Sequence, residues 1–470
     1  MKTDHANYKF RAQLFHDDPS YSISVPCEIY LPDKIGEQPK IVLLPEKSIH
    51  SYYAQPTSLS LHGEIGQGLG AVKIIGTGIF FGSGSERHWG DGLNDRHIMV
   101  HADTLQVIHS IPSELESNSI KASFYITESL LLQPFDLITQ SYNGNTTNEK
   151  GDPLRVKLSD NIEFVFENEY RYRKNGRETI RWAVLSSKID ISIENFEKNK
   201  LLSDIDDFLL IVSFAENRKS ACLEMRWTTK EEFIHEYRMN RVVPPFDENH
   251  SFRACLIPDP EILKQYLGSA FLKLREHPQF SLIHGAIAAV TQFNEGTIGS
   301  NFIRIFSALE SLVLAHRRIN NLEFSIEDSR ERKNLESCIK KAIKENSILE
   351  HDQYRRKLIY DNISGLFRIS LRQATESFIS LHAIDTSDIW PLFDSTTGIS
   401  LIQIRNKIAH GENFSNEDWW HIAEAEKSLR LLVNRCILSV LGTSYQATRA
   451  GVQIKDIQHW NASRLLLQKN

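Results

Sequence analysis

The chain has 470 residues, of which 41% are hydrophobic and 24% are charged. These values are typical of a soluble globular protein and exclude a disordered or fibrous chain. The sequence has no apolar run close to the roughly 20 residues that span a bilayer, and its N-terminus has no apolar core of the signal-peptide kind. Five widely spaced cysteines, without a CxxC pair, argue against a zinc ribbon or a disulfide scaffold. We therefore expect a cytoplasmic protein with no metal site.

The net charge of -6 is unevenly distributed. Residues 1–260 contain 28 basic and 37 acidic side chains, whereas residues 261–470 contain 26 basic and 23 acidic ones. The second half therefore repels a polyanion less than the first half does, although it is not a basic nucleic-acid-binding arm. Any contact with a nucleic acid has to come from a local patch of charge.

The first half of the chain shows the alternating polar and apolar pattern of β-strands. Turn residues such as those at 83–85 and 143–145 separate the strands, and we find no helical period between them. We therefore predict an antiparallel β-rich region over residues 1–245, built as a sandwich or a barrel. Two prolines, Pro244 and Pro245, predict a boundary after it. The main strands are predicted at residues 21–30, 58–62, 71–81, 161–166 and 188–193.

From about residue 259 the apolar period changes to that of an α-helix. Pro260 and Glu261 are typical of a first helical turn, and Ser300-Asn301 is a candidate cap for a later helix. We predict an all-helical bundle over residues 259–470, so that the fold class is α+β with two domains. Further helices are predicted in a charged insertion at 326–351 and at 353–382, 388–410 and 415–441.

The segment 405–411, Arg-Asn-Lys-Ile-Ala-His-Gly, follows an apolar run and is the most informative part of the sequence. On a helix, residues four apart lie about 40° apart and residues five apart about 140° apart. Asn406 and His410 therefore share a face, whereas Arg405 points partly away, and Gly411 offers a helix stop. Either Arg405 curls back along the helix, or a symmetric dimer places a second copy of the segment opposite the first.

Arg405 and His410 have the chemistry needed to cleave RNA without a metal. A histidine side chain titrates near neutral pH and can take or give a proton, and an arginine fork can neutralise phosphate oxygens. Asn406 can fix the tautomer of the histidine or hold a phosphate oxygen. The spacing alone also fits a histidine that stabilises the C-terminal end of a helix, next to an ordinary basic turn.

The motif Arg405-Asn406-x-x-x-His410 resembles the R-N-x-x-x-H signature of HEPN domains. The helix around Ala308-Leu309-Glu310 is similar to one in their Apea-like branch, and the order of a β-rich region followed by a helical bundle resembles ApeA-type antiphage proteins. The resemblance covers roughly residues 260–445. It implies a dimeric, metal-independent endoribonuclease, often directed at tRNA, that is triggered during infection. It also places Arg405 and His410 on the catalytic pair and Asn406 on the polar neighbour.

Other residues are predicted to support this site. Glu310 lies in an otherwise apolar helix, so it either orients Arg405 or His410 or forms a salt bridge within the bundle. Lys407, Arg317 and Arg318 are candidate contacts to the RNA backbone. We expect no cofactor and no membrane association, and a phage-encoded activator is a candidate partner.

Two alternative functions remain open on the sequence alone. A HEPN-like bundle can bind a nucleotide or a partner without cleaving RNA. The β-rich half can instead be the active part, for instance as a carbohydrate-binding or hydrolytic sandwich, although it offers no defensible pair of carboxylates.

Overall fold

In the computed structural model the chain divides into two compact units, Met1–Ala254 and Cys255–Asn470. The first is β-rich and the second is helical, which confirms the predicted order of the two regions. Pro244 and Pro245 lie outside the described residues. The structure describes residues 6–15, 22–32, 37–45, 59–66, 70–88, 94–112, 119–127, 129–132, 137–140, 146–149, 151–159, 162–175, 178–192, 196–239, 255–291, 296–346, 352–393, 398–412, 414–451 and 463.

Fifteen strands are described in the first unit, and they include all five of the main predicted ones. In chain order they are β1 (Tyr8–Phe15), β2 (Ser22–Tyr30), β3 (Lys40–Leu43), β4 (Leu59–Ile65), β5 (Val72–His88), β6 (Asn94–His101), β7 (Thr104–Ser110), β8 (Ser119–Ile126), β9 (Leu137–Gln140), β10 (Thr146–Glu149), β11 (Leu154–Ser159), β12 (Ile162–Asn175), β13 (Glu178–Ser192), β14 (Cys222–Thr228) and β15 (Glu232–Arg238).

Thirteen of these strands form one sheet, in the order β11-β12-β13-β8-β14-β15-β7-β5-β4-β1-β2-β3-β6. Because β6 also pairs with β5, the strands β5, β4, β1, β2, β3 and β6 close into a six-stranded barrel. The long strand β5 has an irregularity between Phe81 and Gly84, where its register against β6 shifts. Through residues 72–77 the strand β5 also pairs with β7, so it belongs both to the barrel and to the open part of the sheet.

Alternate side chains of the barrel strands point inward and form its core, as the period of two requires. The core continues into the open sheet through β7 and β15, which add Leu105, Val107 and Tyr237. The barrel and the sheet thus share one apolar interior. Fully or almost fully buried members include Ala12, Leu14, Ile29, Ile41, Leu43, Leu61 and Ile74.

A helix interrupts the β-rich half, contrary to the expectation that strands follow one another without a helical period. It is α1 (Lys198–Glu216), and it packs on the open sheet, where Phe208 stacks on Phe166 of β12 with 5.3 Å between ring centroids. Its apolar positions recur on a helical period, but the continuous apolar run 208–212 also fits a buried strand. The helix covers one face of the open sheet and so completes its core.

The second unit consists of helices, whose bounds differ in places from the predicted ones. The predicted helix at 388–410 begins only at Leu401, since Pro391 and Gly398, with a φ of 89°, disfavour helix before it. The helices are α2 (Pro260–Glu276), α3 (Phe280–Thr291), α4 (Ile298–Ile319), α5 (Ser329–Lys344), α6 (Gln353–Ile363), α7 (Leu371–Leu381), α8 (Leu401–Ala409) and α9 (Asn416–Val440), with short 3₁₀ turns at Ser364–Phe367 and Tyr445–Ala447.

The helix α4 lies at the centre of the second unit and packs on α3, α7, α8 and α9. Thr297 caps it by accepting a hydrogen bond from the Ser300 N–H, so the cap lies three residues before the predicted one. Among the described residues, α4 alone is long and apolar enough to cross a membrane by length and composition. More than half of that apolar window, 56%, is buried in the protein, which fits an interior helix.

Candidate functional site

The helix α8, which carries the motif, is short and fixed at both ends. Ser400 and Gln403 form a capping box at its start, and Leu401 and Ile404 are buried against the unit. At its end Gly411 adopts a φ of 71°, and its N–H donates to the Ile408 carbonyl. The following N–H of residue 412 donates to the carbonyl of residue 407, which completes a Schellman motif. Gly411 therefore ends the helix, as its position predicts.

A buried ion pair, which no sequence pattern indicated, anchors the segment that precedes α8. The Arg435 guanidinium, fully buried on α9, makes two hydrogen bonds of 2.6 Å to the Asp388 carboxylate and donates to the carbonyls of Asp385 and Ala450. The indole N–H of Trp390 donates to the Ile399 carbonyl at 2.8 Å. These contacts satisfy the buried polar groups and hold the segment that leads into α8.

The C-terminal end of α8 approaches the beginning of α4 at Gly299. A Cβ atom on Gly299 would lie 3.1 Å from the ring of Trp419 and 3.4 Å from Ile408, so a glycine permits this close approach. Arg405 lies one turn before Ile408 on α8, and its side chain contacts a later part of α4, at Phe306 and Glu310. The helices α8 and α4 therefore run in opposite directions along this contact.

The side chain of Arg405 is held by three groups on two helices. Its Nη2 atom lies 3.5 Å from Oε1 of Glu310, its Nη1 donates to Oδ1 of Asn406 at 3.3 Å, and its guanidinium lies 5.9 Å from the Phe306 ring centroid. Arg405 and Glu310 are each about one-third exposed, at 37% and 35%. The guanidinium is thus oriented by its neighbours but remains open to a ligand.

His410 is exposed at the end of α8, where its backbone N–H donates to the Asn406 carbonyl. Within the described part of the chain its imidazole makes no hydrogen bond or ion pair, so the structure does not join it to Arg405. Lys407 forms an exposed ion pair of 3.6 Å with Glu412. The motif therefore presents a cation, an amide and an imidazole at the surface of one short helix.

Arg317 and Arg318 lie in the last turn of α4, two turns beyond Glu310. Arg317 donates to the carbonyls of Leu322 and Glu323, and Arg318 donates to Oε1 of Gln279 at 3.3 Å. Both arginines therefore have partners within the second unit. They do not contact the motif residues, but they lie on the same helix as Glu310.

The described residues contain no group of three or more histidine, cysteine, aspartate or glutamate side chains arranged to hold a metal ion. The groups that this surface offers to a ligand are instead a guanidinium, an amide and an imidazole. A guanidinium can neutralise a phosphate and an imidazole can transfer a proton. No protein-family model matches the chain, and comparisons with curated proteins and with solved structures found no significant match.

Proposed function

We propose that the chain is a metal-independent endoribonuclease of the HEPN type that acts in a bacterial antiphage system. It cleaves tRNA or another RNA in the cytoplasm and leaves a 2′,3′-cyclic phosphate, and the β-rich unit senses infection or regulates the activity. The observation that carries the proposal is the exposed motif on α8, whose Arg405 guanidinium is oriented by Asn406 and by Glu310 and Phe306 of α4.

In this reaction the ribose 2′-oxygen attacks the adjacent phosphorus atom and the bond to the 5′-oxygen breaks. His410 takes the 2′-hydroxyl proton or delivers one to the leaving 5′-oxygen. Arg405 neutralises the charge on the phosphorane. One protomer supplies one histidine, so a twofold dimer of the motif provides both the base and the acid.

Incubation of the full-length protein with total tRNA in EDTA tests the proposal. We expect the wild type, with infected-cell extract if an activator is required, to give fragments that end in a cyclic phosphate. His410→Ala and Arg405→Ala should each lower the rate at least about 100-fold, since each removes a group that acts in the transition state. Mass spectrometry of the fragment termini identifies the products.

Arg372→Ala is the matched control, because Arg372 also pairs with a glutamate on a helix, Glu376, and lies 5.7 Å from an aromatic ring, Phe393. It should cleave at the wild-type rate. Intact tRNA under all conditions, with binding of RNA or nucleotide that depends on Arg405, would instead assign the chain to the non-catalytic binding modules. Cleavage by a protein that remains monomeric in light scattering would contradict the dimeric site.

A further inference from the structure

A pocket of about 200 Å³ lies at the C-terminal end of α4, and three arginines converge on it. Arg317 and Arg318 come from α4, and Arg368 comes from the segment before α7. The rest of its lining consists of Leu314, Phe324 and one carboxylate, that of Glu323. Three guanidinium groups against one carboxylate give the pocket an excess of positive charge, which favours an anion.

Backbone contacts between two distant segments hold Arg368 in this position. Phe324 and Arg368 form an antiparallel β-bridge, and the Ile369 N–H donates to the Glu323 carbonyl at 3.2 Å. The Ser325 N–H and hydroxyl both donate to the Phe367 carbonyl. The pocket wall is therefore a fixed structure and not a loose loop.

The arginines of the pocket differ in what already binds them. Arg317 and Arg318 have hydrogen-bond partners of their own. Their positive charges also complement the negative C-terminal end of α4, and this interaction is enough to explain why arginines occur there. Arg368 is exposed and does not belong to α4, and within the described part of the chain its guanidinium has no hydrogen-bond or ion-pair partner, so it is free to bind a ligand. A fourth arginine, Arg332, covers the Phe324 ring at 3.7 Å.

The pocket lies on the same side of α4 as the group that holds Arg405. Leu314 and Arg317 lie four and seven residues after Glu310, and all three are half-buried on the solvent-facing stripe of the helix. At 1.5 Å per residue, Arg317 lies about 10 Å along the axis from Glu310. Since α8 runs opposite to α4, His410, Arg405 and the pocket follow one another in that order along α4.

We propose that this pocket holds a phosphate group of a single RNA strand whose scissile phosphate lies at Arg405. The proposal rests on the proposed function and adds to it where the substrate strand runs. Phosphates of a strand that is stacked as in a duplex recur about every 3.4 Å along the helix axis, so the bound phosphate lies at most about three nucleotides from the cleaved bond. The pocket is smaller than the roughly 300 Å³ needed to enclose a drug-sized ligand, which favours a phosphate group over a whole regulatory nucleotide.

Fluorescence anisotropy with the full-length His410→Ala protein and a short, labelled single-stranded RNA tests the pocket without cleavage. Arg368→Gln in this background should weaken binding about five- to tenfold, because it removes one charge-assisted contact. It should also reduce the slope of log affinity against log salt by about 0.7, the value for one phosphate on a single strand. Glu323→Gln should strengthen binding, since it removes the one carboxylate of the pocket.

Single methylphosphonate linkages, which carry no charge, identify the phosphate that binds. A methylphosphonate at one position should weaken the binding of RNA to the His410→Ala protein. The same methylphosphonate should cause no further loss of affinity when Arg368→Gln is also present. Arg155→Gln, an exposed arginine of the β-rich unit, is the control and should bind as its parent does. Equal loss at every position in both proteins, or an unchanged affinity in Arg368→Gln, would overturn the pocket.

The outcomes also separate this proposal from the proposed function. Normal cleavage with no effect of Arg368→Gln on affinity refutes the pocket and leaves the ribonuclease intact. Position-specific binding that depends on Arg368, without cleavage of any RNA, supports the pocket and refutes the ribonuclease. AMP or ATP is added as a competitor. If either one displaces the RNA strand, and this displacement requires Arg368, the occupant of the pocket is a free nucleotide and the RNA assignment is overturned.

Discussion

At the scale of single residues, two of the arginine–carboxylate pairs in the second unit differ strongly in character. Arg435 and Asp388 are buried and joined by two short hydrogen bonds, whereas Arg405 and Glu310 are part-exposed and 3.5 Å apart. A buried pair is costly to break from one side, since the remaining charge stays in a low dielectric. A part-exposed pair contributes little to stability and leaves its arginine available to a ligand.

Asp388→Ala should therefore destabilise the protein by about 3–5 kcal/mol, because it leaves the Arg435 charge buried and unpaired. Urea denaturation followed by circular dichroism measures the change. Glu376→Ala breaks the exposed pair with Arg372 and serves as the control, with an expected change below about 1 kcal/mol. Similar losses in the two variants would contradict the distinction between buried and exposed pairs.

At the scale of elements, the sequence predicted the end of α8 but missed the helix α1, the start of α8 and the contacts between distant segments. The role of Gly411 as the helix stop follows from local chemistry, because caps and turns depend on neighbouring residues. The contact between Glu310 and Arg405 joins residues 95 positions apart, so periodicity alone left Glu310 with two possible roles. Arg368 gave no signal, since its place in the pocket comes from the bridge with Phe324.

Gly411→Ala should lower stability by about 1 kcal/mol, because an L-residue is strained at the φ of 71° that ends α8. Gly268→Ala is the control of opposite sign. Gly268 lies inside α2, and a Cβ atom added there would have no neighbour within 4 Å, so alanine should raise stability by about 0.5–1 kcal/mol. Thermal unfolding by calorimetry compares the two, and a stabilised Gly411→Ala would show that α8 does not end in this conformation.

At the scale of the whole molecule, three histidines link the stability of the helical unit to pH. Burial lowers the pKa of His316, and the neighbouring His382 lowers it further. Burial likewise lowers the pKa of His382, and the neighbouring His277 lowers it further. Burial also lowers the pKa of His277. The folded unit thus favours the neutral imidazoles, and those of His316 and His382 pack on Phe378.

Acidification should therefore destabilise the helical unit. Below the ordinary pKa of 6.5 the unfolded chain binds protons that the folded unit still excludes, so stability falls from pH 6.5 down to the lowered pKa values. Hydrogen exchange in α4 and α7 should be faster at about pH 5.5 than at about pH 7.5 after correction for the intrinsic rate. His382→Asn should weaken this pH dependence, and an unchanged dependence would argue against the histidines as its source.

The long strand β5 has a consequence for how the N-terminal unit can be divided. Its seventeen residues pair with β4 and β6 on the barrel and with β7 on the open sheet. No cut between the barrel and the sheet leaves both with a complete set of strands. We expect the barrel and the open sheet to unfold together as a single cooperative unit. A recombination event that separated the barrel from the sheet would have to supply each of them with its own copy of β5.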